Sequence, residues 1–432
     1  MKWLFIERKF NFLLFLILGF VVFHLASVSI VNYFVDPYSF FGSVLKNGAN
    51  KNKPVSNLRL IMPHHFMQGT YTAIILGSSR AMHMNASSPS LTNFKVYNFS
   101  MPAASVSEQL QSLKYSHEHQ PLQMVIIGLD LISYLSLDAL PLSNNKNIAA
   151  SSSTIYRRFY ESTQMLLSDK AFSASRKTLK ANKKSKRNVS SAPPPPPTLP
   201  ADKHGKDNRE GLLPEQKGIL SYGGYNYYFG VSERNYVKRD GLLLNSRFNK
   251  LSPSAKFVLS QNLEQLDDII AYCHENNISL KLFFSALHIR HLAMIEIVDF
   301  WPLYAQWKIE VAKRITLFNA ENSQKIILED FSIINDLTTE PVPKSGSQNV
   351  MFWFYNGSHY TKAFSEYILA VLFNHSKFPS LHYQPTSNTI EQKTEKEHQR
   401  VLNFISKHKE FELMIKEFLC EENIEAYCKI NI

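Results

Sequence analysis

The stretch TAIILGSSR, residues 72–80, reads as a short apolar strand, Ile74 to Leu76, halted by Gly77-Ser78-Ser79. MVIIGLD, residues 124–130, repeats the pattern, with Met124 to Ile127 stopping at Gly128. Such short apolar runs bounded by turn residues are what strands buried on both faces look like. Between the two, Lys95 to Phe99 form a third strand that ends in Ser100-Met101-Pro102. Ser105-x-x-Glu108 is a capping box, starting a helix through about His117.

The rhythm resumes downstream. Ser252 caps and Pro253 opens a long helix whose Leu259, Leu263, Leu266, Ile270 and Cys273 share one face, ending at Asn276-Asn277. A strand (Ser279 to Ser285), a helix (about Leu292 to Leu317), a strand (Lys325 to Leu328) and a helix (about Thr361 to Phe373) follow. Alternating strands and helices predict an α/β fold with a doubly wound, mostly parallel sheet.

The chain has 432 residues, 44% apolar, 19% charged and 12% aromatic, with 3 cysteines, which excludes a disordered chain, a disulfide scaffold and a polytopic channel. Its net charge of +11 is concentrated in one place. From Arg176 to Arg209 there are ten Lys or Arg against Asp202 and Asp207, a local +8 that leaves +3 for the rest. That stretch runs into Pro193 to Pro197, a composition unable to bury enough apolar surface to fold, so the charge is assigned to a solvated linker and not to nucleic-acid binding.

Phe10 to Phe34 is an uncharged, predominantly apolar run, long enough as a helix to span a bilayer. Lys2, Arg8 and Lys9 precede it and Asp36 follows, so the positive-inside rule places the N-terminus in the cytoplasm and the body outside, on an uncleaved anchor. In an oxidising compartment Cys420 and Cys428 are close enough in sequence to pair, with three reduced thiols as the alternative.

The expected organisation is a cytoplasmic tail over 1–9, an anchor over 10–34 and the first part of the α/β domain over 35–130. An insertion follows over 131–250, with a disordered basic and proline-rich tract over 173–217. The second part of the domain covers 251–376, and a linker with a C-terminal helical segment covers 377–432. Leu402, Ile405, Leu413, Ile415, Phe418 and Leu419 are available there for packing. The aromatic stretch from Tyr222 to Phe229 has two readings, a platform for sugar rings or a lid or edge packed on the core.

In a parallel sheet, ligands sit at the carboxyl ends of the strands. Gly77-Ser78-Ser79-Arg80, Asn98 to Ser105 and Gly128-Leu129-Asp130 fall there, and Asn356-Gly357-Ser358-His359 lies just before the last helix of the domain. A serine on a strand-to-helix turn with a distant histidine are the parts of nucleophilic acyl transfer.

With these blocks in this order, the chain resembles the SGNH, or GDSL-like, hydrolase superfamily, which implies a three-layer α/β/α, flavodoxin-like fold. Leu76-Gly77-Ser78-Ser79-Arg80 looks like the first block, with Ser79 at the position of the nucleophile, and His359 matches the base of the last block, Asp-x-x-His. The anchor, Asp36-Pro37-Tyr38, Tyr97-Asn98-Phe99-Ser100-Met101-Pro102 and Ser358-His359-Tyr360 are similar to a membrane-tethered branch acting in alginate acetylation and teichoic acid D-alanylation. The resemblance implies transfer or hydrolysis of a small acyl ester on an envelope glycan, a possible membrane acyl-donor protein as partner, and no cofactor.

The departures define the expectations. Asn356 stands where the family has the acid that orients the histidine, and an amide holds a tautomer without stabilising the imidazolium by charge. Either Asn356 itself or Asp330, ending the preceding strand as a substitute acid, orients the histidine. For the oxyanion, the backbone N–H of Ser79 is joined by that of Ala103 or Ala104, where the family has glycine. Asn98 is a further candidate for holding substrate or oxyanion, and Arg80 either holds an anionic substrate group or caps the sheet edge by pairing with Asp130 or Asp330. Asp130 replaces an asparagine of the third block, and its carboxylate must point elsewhere, be protonated or mark a disarmed enzyme. His288 and His291 are candidates for substrate binding, or core or surface histidines. His117 and His119 lack partners at zinc spacing, so no metal is expected. Two functions result: an anchored extracytoplasmic acyltransferase or esterase, or a glycan-binding module of the same fold that catalyses nothing.

Overall fold

The computed structural model describes residues 2–43, 45, 47–51, 53, 58–135, 162–163, 165–188, 224–237, 253–347, 349–373 and 381–421. The chain divides into two compact units, residues 1–68 with 141–198 and residues 69–140 with 199–432.

In the first unit, helix α1 (Lys2–Val35) contains a stretch, Asn11–Val35, long and apolar enough to cross a membrane. Its residues 11–26 are exposed, whereas Val28, Asn32 and Val35 are buried. Asn32 Nδ2 donates to the Leu166 carbonyl at 2.9 Å and its Oδ1 accepts from Ser175 Oγ at 2.9 Å. Past the helix end Asp36, at φ 45°, gathers the backbone N–H groups of Phe40, Phe41 and Ser43 at 2.7–3.1 Å on its carboxylate, which fixes the exit turn. Residues 35–68, including α2 (Leu58–Phe66), belong with this unit rather than with the sheet.

The second unit carries a five-stranded parallel sheet made of β1 (Ala73–Leu76), β2 (Val96–Asn98), β3 (Met124–Leu129), β4 (Ser279–Phe284) and β5 (Ile327–Asp330), in the order β2-β1-β3-β4-β5. Every residue of β1 and β3 is buried, as their unbroken apolar sequences require. Helix α3 (Val106–His119) starts at Ser105 with both bonds of the capping box made. A one-turn helix, α4 (Leu131–Tyr134), follows β3.

The basic tract expected to be disordered over 173–217 is helical in its first part. Helix α5 (Asp169–Asn188) buries Ala171, Ala174, Ser175, Thr178 and Asn182 along one face while Arg176, Lys177, Lys180 and Lys183 stay exposed. The buried face is built of small and polar residues, so it carries no apolar periodicity; α5 packs on α1 and hydrogen-bonds to Asn32. The rest of the tract lies outside the described residues. So do Tyr222 and Gly223 of the aromatic stretch. From Gly224 that stretch is helix α6 (Gly224–Tyr236), with Tyr225 and Phe229 inside the core around Phe283, Phe354 and Phe364 and Tyr227 exposed. Core packing, not a platform for sugar rings, is what most of its aromatics do.

Helix α7 (Pro253–Glu275) is followed by Asn277 at φ +54°, which turns the chain toward β4; its expected cap, Ser252, is outside the described residues. The single helix expected over 292–317 is two, α8 (Ile289–Ile297) and α9 (Trp301–Glu321). Asp299 at φ +61° breaks the run and Pro302 can only sit in a first turn, so it opens the second helix. After β5 comes a hairpin, β6 (Phe354–Asn356) and β7 (His359–Tyr360), then α10 (Lys362–Leu372). Two C-terminal helices, α11 (Ile390–Lys407) and α12 (Lys409–Glu421), bury Ile405, Ile415, Phe418 and Leu419 but leave Leu402 and Leu413 exposed. Cys273 is free and buried, burial pushing its thiol up to about 12. Cys420 is disulfide-bonded, and Cys428 lies outside the described residues.

Candidate active site

Ser79 hangs on a turn that only glycine can open. Gly77 sits at φ +146°, and a Cβ there would stand 2.8 Å from Ala81 Cβ and 3.0 Å from the Gly128 carbonyl. The chain therefore leaves the end of β1 tightly against the end of β3. Alongside it, Phe99 N–H donates to the Ile75 carbonyl at 2.8 Å and Met101 N–H to the Gly77 carbonyl at 3.1 Å, so the loop after β2 runs beside the serine turn.

His359 comes from the other end of the domain. The hairpin β6–β7 has a two-residue loop, Gly357-Ser358, so Asn356 and His359 are paired across it. His359 Nε2 lies 2.9 Å from Ser79 Oγ, and Nδ1 lies 3.0 Å from Asn356 Oδ1. That oxygen also accepts the backbone N–H groups of Ser358 at 3.0 Å and His359 at 3.1 Å, which an amide nitrogen cannot do. The ring proton is thereby assigned to Nδ1, leaving the Nε2 lone pair to accept from the Ser79 hydroxyl. Ser79 Oγ, the His359 ring and Asn356 Oδ1 thus stand in one hydrogen-bonded line, the order in which a nucleophile, a base and its orienting group are found in acyl-transfer sites. Three groups surround them: Ser358, from the cluster Asn356 to His359, and two that sequence reasoning did not single out, His83 and Tyr236. The His83 ring, four residues after Ser79, stands edge-on to His359 at 5.7 Å. Ser358 Oγ lies 3.0 Å from Nδ1, and the Tyr236 hydroxyl from α6 is hydrogen-bonded to Ser358 Oγ. A helical offset from Ser79 marks His83; nothing in the sequence ties Tyr236 to a residue 122 positions away.

Asp330 is not the orienting acid. Its carboxylate lies 2.6 Å from Lys308 Nζ and accepts from Ser332 N and Oγ at 2.9 and 2.7 Å, fully buried at the end of β5. Burial, the largest single influence, opposes the Lys308 ammonium, but the charge and hydrogen bond of Asp330 together with the nearby Tyr304 and Glu397 outweigh it and hold the group above its ordinary range.

Asp130 is engaged by its neighbours on the serine turn. It accepts from Ser78 Oγ and from Arg80 Nη1, the latter at 2.6 Å, in a buried ion pair. Arg80 Nε donates to the Ser358 carbonyl at 3.0 Å, and Nη2 faces His291 Nε2 at 3.3 Å. The guanidinium thus ties the serine turn, the end of β3 and the histidine hairpin together. With its donors so engaged and the residue 8% exposed, Arg80 is a structural clamp rather than a substrate anchor.

Asn98 also turns inward: Nδ2 donates to the carbonyls of Ala81 at 2.9 Å and Met84 at 3.0 Å, and Oδ1 accepts from Ser100 N. It holds the turn after Ser79 and offers nothing to an oxyanion. Of the two alanines, Ala104 spends its N–H on the Met101 carbonyl at 3.2 Å. Ala103 sits at φ +50°, an unusual conformation for a side-chain-bearing residue, and among the described residues its N–H and that of Ser79 have no acceptor. These two N–H groups are the candidates for oxyanion donors.

His288 is not a substrate ligand. It caps α8 through Nδ1, its Nε2 meets the Glu340 carbonyl at 2.8 Å, and burial lowers it to about 4. His117 Nδ1 accepts from Leu122 N and His119 Nδ1 faces the Tyr115 carbonyl. Among the described residues no cluster of His, Cys, Asp or Glu is able to hold a metal ion. Beyond Arg80 a pocket of about 70 Å³ lies at the carboxyl ends of β3 and β4, walled by Leu129, Phe284, Leu287, Met294 and Trp307.

No family model matches this chain, and neither a curated protein nor a solved structure is significantly similar to it. The geometry has to carry the functional reading. A hydroxyl 2.9 Å from a histidine whose far nitrogen is held, with two open N–H groups on the neighbouring turns, is equipped for attack on an ester carbonyl.

Proposed function

We propose that this chain is a membrane-anchored serine acyltransferase or esterase of the SGNH-like type. Ser79 Oγ attacks the ester carbonyl as its proton passes to His359 Nε2. The Ser79 and Ala103 N–H groups receive the oxyanion. His359 then returns the proton to the departing alcohol, leaving acyl-Ser79. Water or a second hydroxyl, deprotonated by the same histidine, releases the acyl group, so hydrolysis and transfer share the first half of the reaction. The observation that carries this reading is the Ser79–His359–Asn356 line.

The strand order β2-β1-β3-β4-β5 supports a flavodoxin-like, three-layer α/β/α arrangement, with the reactive serine after β1 beside the switch in strand order. The positive charges of Lys2, Arg8 and Lys9, ahead of the apolar stretch Asn11–Val35 of α1, support an extracytoplasmic body, and small acyl esters of an envelope glycan are the substrates that the resemblance implies. One observation favours a second reading, a glycan-binding or accessory protein without activity: the orienting group is a neutral amide.

The test is capture of the acyl-enzyme. The full chain in detergent is incubated with p-nitrophenyl acetate, quenched in acid and digested. An acetyl group on the peptide containing Ser79, absent from Ser79→Ala, is expected; a folded wild type with no acetylated serine overturns the proposal in favour of the binding reading.

A further inference from the structure

Asn356 Oδ1 is crowded. Four donors approach this one oxygen: Ser358 N, Ser358 Oγ, His359 N and His359 Nδ1, all within 3.0–3.2 Å. An amide oxygen has two lone pairs, so the ring proton on Nδ1 shares Asn356 Oδ1 with the two backbone N–H groups that the hairpin fixes there. A shared acceptor holds that proton weakly, and a second one strengthens the hold. Ser358 Oγ is at the right place, 3.0 Å from Nδ1, on a residue with no exposed surface.

Ser358 is itself held from two sides. Arg80 Nε fixes its carbonyl, and the Tyr236 hydroxyl is bonded to its Oγ. Tyr236 is braced in turn, its ring edge-on against His291 at 5.0 Å, whose Nε2 meets Arg80. If the Ser358 hydroxyl points its hydrogen at the phenol oxygen, its lone pair faces Nδ1, and the two hydroxyl dipoles align with their negative ends toward the imidazole. Aligned dipoles in a low-dielectric setting reinforce each other and favour the cationic ring.

Resting on the reading of Ser79 and His359 as nucleophile and base, we propose that Ser358 and Tyr236 are positioning residues that stabilise the His359 imidazolium by a hydroxyl chain, in place of the carboxylate that such sites ordinarily carry. Only one proton moves, from Ser79 Oγ to His359 Nε2; the hydroxyls of Ser358 and Tyr236 keep theirs. Two further groups face the ring, the Asn356 amide and the His83 ring, and neither carries a formal negative charge.

The experiment is the second-order rate of labelling of the full chain in detergent by a fluorophosphonate, followed from pH 5 to 9. Wild type, Tyr236→Phe, Ser358→Ala and both variants carrying Asn356→Asp are compared. In wild type the rate rises to a plateau as His359 loses its proton. Tyr236→Phe and Ser358→Ala are expected to lower the plateau about tenfold, the size of one hydrogen bond to a charged group, and to move the midpoint to lower pH. Asn356→Asp is expected to restore the plateau in the Tyr236→Phe background and to move the midpoint up, which also shows that the variant is folded. An unchanged profile, or a lower plateau with the midpoint fixed and no recovery on adding Asn356→Asp, overturns the proposal. A wild type that never labels overturns the acyl-transfer reading, and the hydroxyl chain with it.

Discussion

Replacing Asp130 by asparagine restores the residue that the resemblance leads one to expect in the third block, yet the geometry says that it harms the protein. Asp130 and Arg80 are 2.6 Å apart with side chains 1% and 10% exposed. At an effective dielectric constant of about 20 their gross attraction is about 6 kcal/mol. Much of that offsets desolvation, and removing one partner of a buried pair costs about 3–5 kcal/mol. Arg80 keeps its bonds to the Ser358 carbonyl and His291, and an asparagine oxygen still accepts from Ser78, so the lower end, about 3 kcal/mol, applies. For a domain of this size each kcal/mol moves the melting temperature by about 2–4 °C, giving a fall of roughly 6–12 °C. The assay is thermal unfolding of Asp130→Asn in detergent by circular dichroism, beside its rate of fluorophosphonate labelling. A fall of that size with unchanged or slower labelling is expected. Melting at the wild-type temperature with faster labelling refutes the reasoning, because it means that the Asp130 charge acts on the oxyanion region instead of on Arg80.

Two further outcomes follow from single residues. Gly77→Ala places a Cβ 2.8 Å from Ala81 Cβ at a φ that side chains avoid, so it should cost roughly 2–4 kcal/mol in urea unfolding and slow labelling at Ser79 by about 100-fold as the turn shifts; wild-type values for both sink this account of the turn. His288 stays neutral in the folded chain down to about pH 4, whereas the unfolded chain takes up a proton below about pH 6.5. Stability is therefore lost as pH falls through that window, by roughly 2–3 kcal/mol at about pH 4.5. His288→Gln should show a correspondingly smaller drop in its urea midpoint between about pH 7.5 and 4.5 than wild type, and equal drops contradict the assignment.

Local signals carried the sheet: the runs before Gly77 and Gly128 are buried throughout, and the Ser105 capping box is made in full. Ser79 was legible for the same reason, on a turn that ends a strand; His359 was picked out by its place just before the last helix of the domain and by the resemblance, without the β6–β7 hairpin that carries it. Their polar neighbours were not. Whether Asn98 faces an oxyanion or two backbone carbonyls depends on the path of the turn after Ser79, and whether Asp330 reaches a histidine depends on Lys308 arriving from α9. Tyr236 meets Ser358 only because α6 folds its aromatic face back into the core, a long-range contact with no periodic trace. Helix α5 was hidden for a different reason. Its buried face is Ala, Ser, Thr and Asn, so composition registered the lysines and missed the packing against α1.

The central claim is that Ser79 is activated by His359, and the most direct measurement is fluorophosphonate labelling of the folded full chain, mapped by peptide mass spectrometry, in wild type, Ser79→Ala and His359→Ala. The expected result is a wild type modified at Ser79, no adduct there in Ser79→Ala, and labelling of His359→Ala slowed by about 100-fold or more. A folded wild type that stays unmodified, or a His359→Ala variant that labels at the wild-type rate, contradicts it.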